Sequence, residues 1–456
     1  MEKNSKKLIN AWSSYDWSNS VYNLIVTTAI FPTYYENVTK EAFGGEMVPF
    51  FGITISSGVL FTYAISLSFL VIVLTSPILS GIADYTGSKK RFMQFFTYLG
   101  ALSCMGLYFF EGPNIEYGIM CSVLASVGYA GSLVFYNGFL PEIATSDQMD
   151  SVSAKGFTFG YVGSVILLTI NLALILAPET FGFSGAGSAT KFGFLLVGVW
   201  WMGFAQIAFY YLKDRPTENK MSSKVLGLGL KELGKVYAEI KSRPTMKKFL
   251  MSFFFYSMGV LTVMLLAPLF GSKEVGIDSI EMIIVVLILQ ILAIFGAYFF
   301  SWVSSKKGSR FAISAILIMW VAVCITCYFL TIKIGFYIIA GIVGFGMGGV
   351  QSISRSTYSR LIPKGTKDTA SYFSFFDITE KLAIVIGSFA YGFINQVTGS
   401  MRNSMLFMTV FFVIGFIILQ LTDLETDMKK IADADEFDNP WDDVLEDILD
   451  VEAPKE

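Results

Sequence analysis

Histidine is absent from all 456 residues. That excludes an imidazole proton relay, most zinc sites and a Ser-His-Asp triad, so proton chemistry falls to carboxylates and lysines. Cysteine is scarce. Cys104, Cys121, Cys324 and Cys327 all lie in apolar segments, which leaves no disulfide framework. Cys324 and Cys327 form a lone CxxC with no second pair beside it to complete a metal or redox centre. No GKT/S loop is present to cradle phosphates, which argues against an ATP-driven pump on this chain. The opening stretch MEKNSKKLINAWSSYDW is too polar for a cleaved leader, and the first span is expected to serve as the targeting signal. Charge is thin as well, at 15% of residues, against about 25% in soluble domains. No basic face points to nucleic acid.

Apolar surface is abundant instead: 54% of residues are hydrophobic and 16% aromatic. The charges lie between long apolar runs, so the apolar surface must face lipid. A helical span needs about 20 mostly apolar residues. Runs of that kind occupy 17–36, 56–82, 92–111, 115–140, 154–177, 191–212, 248–271, 279–304, 311–331, 334–362, 369–397 and 403–421. The expected class is an all-α membrane protein of about twelve transmembrane helices. With the N-terminus placed in the cytoplasm, 27 of the 33 Lys and Arg fall inside and five outside, with Lys381 inside a span. This bias supports an even number of spans with both termini cytoplasmic.

The connection 213–247 divides the spans into six and six. The expected units are an N-terminal six-helix bundle (1–212), a cytoplasmic linker (213–247), a C-terminal six-helix bundle (248–421) and an acidic cytoplasmic tail (422–456). The linker's amphipathic, basic KVLGLGLKELGKVYAEIKSRP reads as a surface helix against the anionic inner leaflet. In the tail, Trp441, Val444, Leu445, Ile448 and Leu449 share one helical face, although so acidic a segment is equally compatible with disorder. Arg91 and Arg310 follow the second and eighth spans 219 residues apart, and Pro141 and Pro363 close the fourth and tenth 222 apart. Near-equal offsets indicate a duplicated six-span unit, a standard plan for transporters with a site between the repeats.

Polar side chains inside the spans are the candidate site, because a charge at mid-membrane costs about 2.5–3.5 kcal/mol on insertion scales. In the eleventh span Asp377, Glu380 and Lys381 share one helix face, with Lys381 roughly 15 Å deep. They form either a substrate- or ion-binding cluster or a structural ion pair that neutralises itself. In the first span Asp16, Asn19 (or Ser20), Asn23 and Thr27 draw a polar stripe. The stripe suits the wall of a translocation path, while Asp16 alone also suits a helix N-cap. Tyr136 and Asn137 in the fourth span can bind solute or a neighbouring helix. In the tenth, Gln351, Ser352, Arg355 and Ser359 recur at helical spacing. Arg355 stands within snorkelling reach of the cytoplasm, where it either clamps a carboxylate or pairs with Glu142 or Asp377 across an inner gate.

Four segments resemble the major facilitator superfamily, in particular its autophagy-related vacuolar amino-acid effluxer branch. They are YDWSNSVYNLIVTTAIFPTYY (15–35), LSGIADYTGSKKR (79–91), FYNGFLPEIATSDQMDSVSAKGFTFGYVG (135–163) and SRSTYSRLIPKGTKDTASYFSFFDITEKLAIVIG (354–387). The second is similar to the superfamily's loop signature, with Ser80 in place of the usual Gly and Tyr85 in place of the usual Arg. The resemblance implies the major facilitator fold, two six-helix bundles related by a pseudo-two-fold axis. It also implies a cytoplasmic latch at Asp84, Gly87 and Arg91, with Glu142 at the same surface.

The expected protein is therefore a secondary transporter of a small solute, compatible with proton coupling, and by resemblance an amino-acid exporter. It would be a monomer in the lipid bilayer of the plasma membrane, with no catalytic residue, cofactor or metal. The alternatives are a transporter of another solute, such as a sugar or drug-like molecule, and a non-transporting membrane receptor or scaffold that signals through its tail.

Overall fold

A computed structural model describes residues 2–215, 217 and 225–433. The face proposed for Trp441 to Leu449 lies outside the described residues. Among the described residues, ten helices are long and apolar enough to cross a membrane: Ser57–Thr86, Lys89–Phe109, Ile115–Ile143, Met149–Leu176, Ala186–Tyr211, Pro244–Val275, Glu281–Lys307, Ser309–Phe329, Lys333–Leu361 and Met401–Gln420. They are spans 2 to 10 and span 12. Span 11 is Thr369–Thr398, whose Asp377, Glu380 and Lys381 make it more polar than its neighbours.

Span 1 is also polar, and it is not one straight helix. It begins at Lys6, eleven residues earlier than hydropathy suggests, and runs as an α-helix to Val21. It continues as a π-helix over Tyr22–Ala29 and turns into a further helix, Phe31–Phe43. Pro32 explains the break, since a proline has no N–H to give and its ring clashes with the preceding turn. The Thr28 hydroxyl returns a hydrogen bond of 2.9 Å to the Asn23 carbonyl. Asp16 therefore lies inside a helix and does not cap one. Hydropathy also gives no sign of the small antiparallel hairpin Met47–Phe50 and Ile53–Ser56. Its two-residue turn is Phe51 and Gly52, both at positive φ.

The packing repeats with a period of six. Span 1 lies against spans 5 and 6, and span 7 against 11 and 12. Span 4 lies against 2 and 3, and span 10 against 8 and 9; span 3 meets 6 as span 9 meets 12. Contacts between the halves obey the same rule: 5 with 8 and 11 with 2, 5 with 10 and 11 with 4. This is the pseudo-two-fold arrangement of the major facilitator fold.

The linker helix Val225–Ser242 docks on protein, against span 2 and the start of span 11, burying Val236 and Ile240. Its polar side reaches the same place, with Lys235 3.1 Å from Asp368 and Glu239 accepting from the Tyr372 hydroxyl. The inner-leaflet reading therefore describes at most its remaining face. The start of the acidic tail is also docked. Helix Leu424–Asp433 places Glu425 to accept from the Arg310 N–H at 2.9 Å.

Spans 8 and 10 touch backbone to backbone. A Cβ at Gly344 would collide with the Leu289 carbonyl, one at Gly348 with that of Ala293, and one at Gly296 with that of Phe345. Close approach of this kind is how membrane helices associate without a hydrophobic driving force. Gly348→Leu is expected to cost about 1–3 kcal/mol or more and to lower the melting temperature of the purified protein by several degrees. Gly392→Leu, with open space around it, should leave the transition where it is. Differential scanning fluorimetry in detergent compares the two.

Candidate functional site

The site begins with two charged groups that lipid would reject. Asp16 and Arg355 are both almost fully buried, and they meet at 3.2 Å. Asp16 also accepts from the Tyr136 hydroxyl at 2.8 Å. Arg355 donates Nε to Ser153 Oγ at 3.0 Å, one terminal nitrogen to the Ser153 carbonyl at 2.9 Å, and the other to Asn137 at 3.3 Å as well as to Asp16. Its guanidinium stacks over Phe157 at 4.0 Å and faces Trp12 at 4.8 Å. Gly156 makes the room: a Cβ there would stand 2.8 Å from an Arg355 nitrogen. One side chain of span 10 is thereby tied to spans 1, 4 and 5 of the other half. Arg355 neither snorkels nor pairs with Glu142 or Asp377. The choice of partner was fixed by Gly156 and Ser153, which sequence spacing does not reveal.

The second charged group is the span 11 cluster. Lys381 Nζ lies 3.1 Å from Asp377 and 3.2 Å from Glu380. Both charged groups face one cavity of about 240 Å³ between the halves. Asp16, Asn23, Asn137 and Gln351 line it, as do Arg355, Asp377, Glu380 and Lys381. The π-helical stretch of span 1 contributes Tyr22, Asn23 and Thr27 to the wall, in keeping with the frequent use of such bulges at functional sites. Two expected residues fall elsewhere. Asn19 is fully buried and off the cavity, and Ser20 takes its place on the wall. One turn of helix offers both positions, and only packing selects between them. Tyr136 stands one layer back and holds Asp16. Sequence reasoning missed Tyr129 and Tyr256 on the wall and the Tyr161 hydroxyl that binds Gln351 at 2.6 Å. With 22 Tyr and 43 Phe in the chain, no pattern singled them out. Among the described residues, no group of three or more Cys, Asp and Glu could hold a metal ion.

Two charged seams close the cavity at the end that carries the linker. In the first, Gly87 at φ +62° ends span 2 in a left-handed turn. The turn leaves Asp84 at the start of span 11, accepting the N–H groups of Ala370 at 3.2 Å and Ser371 at 2.7 Å. A carboxylate suits a helix N-terminus because the unpaired N–H groups and the helix dipole both favour negative charge. Beside it, buried Lys89 pairs with Glu142 and reaches Thr369, and Arg215 stands 3.2 Å from Glu142. Glu142 is thus buried and ion-paired, not solvated. Arg91 is exposed and has no ion-pair partner among the described residues; Lys89, two positions earlier, is the buried and paired one.

The second seam was not anticipated. Asp150, at the start of span 5, receives Arg360 in a fork at 3.0 and 2.6 Å, together with Ser356 at 2.5 Å and Ser304 at 2.8 Å. The two seams are repeats of each other. Asp84 and Ser304 are 220 residues apart, and Asp150 and Ser371 are 221 apart. In one seam the acid ends span 2 and meets a serine N–H on span 11. In the other the serine ends span 8 and meets an acid on span 5. Acid and serine have exchanged places across the pseudo-two-fold axis.

Known proteins share the sequence pattern and the fold. Residues 4–432 match the family described as "Vacuole effluxer Atg22 like". The chain is 31% identical over 433 residues to the uncharacterized MFS-type transporter YxiO of Bacillus subtilis, covering 93% of this chain and 97% of that one. It is 26% identical to autophagy-related protein 22 of Eremothecium gossypii, covering 88% of each. Among solved structures, the major facilitator transporter FucP in its outward conformation superposes with a TM-score of 0.66 at 15% identity, over 91% of this chain and 98% of that one. A bacterial homologue of the iron transporter ferroportin, in an outward-facing state, gives 0.66 at 11% identity, over 92% and 98%. The chain belongs to the Atg22-like family of major facilitator transporters.

Proposed function

We propose that this transporter exports amino acids or similar small organic solutes by alternating access, as a secondary active carrier with proton coupling at one of its intramembrane carboxylates. The observation that carries the reading is the cavity between the halves, into which Lys381, Asp377 and Glu380 converge with Asp16 and Arg355. Charged groups at this depth have no structural necessity, and a hydrophobic helix would insert more readily. The description of the matching family as vacuole effluxers supports export. The bias of Lys and Arg supports a plasma-membrane protein with both termini in the cytoplasm. The seams at the linker end are then a closed cytoplasmic gate, and the conformation is outward-facing. The cavity is complete within one chain, which supports a monomer as the working unit.

Two experiments test the reading. Lys381→Ala removes a charge-assisted contact worth about 1.5–3 kcal/mol, so solute flux into proteoliposomes is expected to fall roughly tenfold or more. Flux equal to that of the unaltered protein would remove the central site from the mechanism. The gate is tested by labelling. All four native cysteines are buried, so Ser257→Cys on the cavity wall supplies the reactive thiol. In inside-out vesicles, an impermeant maleimide should label it slowly. Adding Asp150→Asn leaves Arg360 short of a charged partner and should speed labelling several-fold. Unchanged labelling means that this seam is not the gate.

A further inference from the structure

The charges in the cavity do not balance. Its wall carries two cations, Arg355 and Lys381, and three carboxylates, Asp16, Asp377 and Glu380. Both cations are already engaged. Each of the three guanidinium nitrogens of Arg355 has a protein acceptor, and Lys381 is held by two carboxylates. A solute carboxylate seeking either cation would have to displace a bonded partner in a low-dielectric site, leaving that partner unpaired.

The carboxylates of span 11 are less fully used. Asp377 holds Lys381 through Oδ1, while its Oδ2 is buried with no hydrogen-bond partner among the described residues. Glu380 shares the same lysine and is the most accessible of the group, with 31% of its side chain exposed. One ammonium cannot neutralise two carboxylates, so with both ionised this wall holds a surplus of one negative charge. Aromatic rings line the same space, among them Phe69, Tyr129, Phe253 and Tyr256. Phe69 already faces a cation, with Lys381 Nζ 5.9 Å from its ring centre. Aromatic faces attract cations and not anions.

We infer that the cavity recognises its solute by an ammonium group. Glu380 receives that group, Asp377 supplies the compensating charge behind it, and the aromatic wall encloses it. Solutes of net charge +1 are preferred to zwitterions, and anions are excluded. The inference rests on the transport reading above and narrows its solute class.

Binding to the purified full-length protein, read by thermal shift and calorimetry, tests it with three matched panels: free α-amino acids, their carboxamides, and the corresponding carboxylic acids without the amine. The carboxamides are expected to bind at least as tightly as the free amino acids, and the amine-free acids not at all. Glu380→Gln and Asp377→Asn should each weaken carboxamide binding roughly tenfold or more, the loss of one charged contact. Binding of the amine-free acids, or of free amino acids but not their carboxamides, overturns the ammonium assignment and leaves the amino-acid reading standing. Carboxamide binding unchanged in both variants overturns the role of span 11. If no panel binds, the amino-acid reading falls together with the inference.

Discussion

A guanidinium buried inside a membrane-spanning bundle needs a counter-charge, and the one Arg355 has found belongs to the other half of the molecule. This dependence organises the rest of the structure. Asp16 comes from span 1, Ser153 and Gly156 from span 5, Asn137 from span 4 and Arg355 from span 10. Breaking such a pair by removing one partner costs about 3–5 kcal/mol in buried settings. A carrier that separates its halves must offset that cost with something. Either solute replaces the lost partner, or a proton neutralises the acid. On the alternating-access reading proposed above, the pair would couple occupancy of the cavity to the arrangement of the halves.

The two peripheral seams show a different use of charge. Each sits where a helix ends, so the carboxylate draws on backbone N–H groups or on a forked arginine and does not depend on one side chain alone. In both seams the acid spans the boundary between the halves. They occupy repeat-related places, yet the carboxylate sits on span 2 in one and on span 5 in the other. A duplicated unit thus retained the contact while reversing its polarity. Asp84 meets backbone N–H groups at a helix start, whereas Asp150 meets the formal charge of Arg360.

Much of this was legible in the sequence. Long apolar runs and the distribution of Lys and Arg gave the spans, and the i, i+3, i+4 spacing placed Asp377, Glu380 and Lys381 on the face that meets the cavity. The two spans with the weakest hydropathy, the first and the eleventh, are those whose polar residues line it. Pro32 was visible, but its consequence, a π-helical bend that presents Tyr22 and Asn23, depends on what packs around it. Partner choice was the least legible feature. Arg355 had several acids within reach in principle, and only the absence of a side chain at Gly156 decided for Asp16. The run Lys89-Lys90-Arg91 was equally ambiguous. Helix phase buries Lys89 and exposes Arg91, and a shift of two residues moves the buried ion pair from one to the other.

The linker adds a constraint that span counting does not capture. Its helix packs where span 2 hands Asp84 to span 11, and Lys235 and Glu239 bind Asp368 and Tyr372 at the same helix start. The first seam therefore has a support beside it that is covalently continuous with both halves. Val236 and Ile240 pack with the core of the C-terminal half, on the same side as the polar contacts to span 11, while the helix also lies along span 2 of the N-terminal half. On the alternating-access reading proposed above, span 2 and span 11 would part, and the helix would stay with span 11 and give up span 2. The cost of opening would then include that loss, so the connection between the bundles would act on the conformational equilibrium as well as on the reach between them.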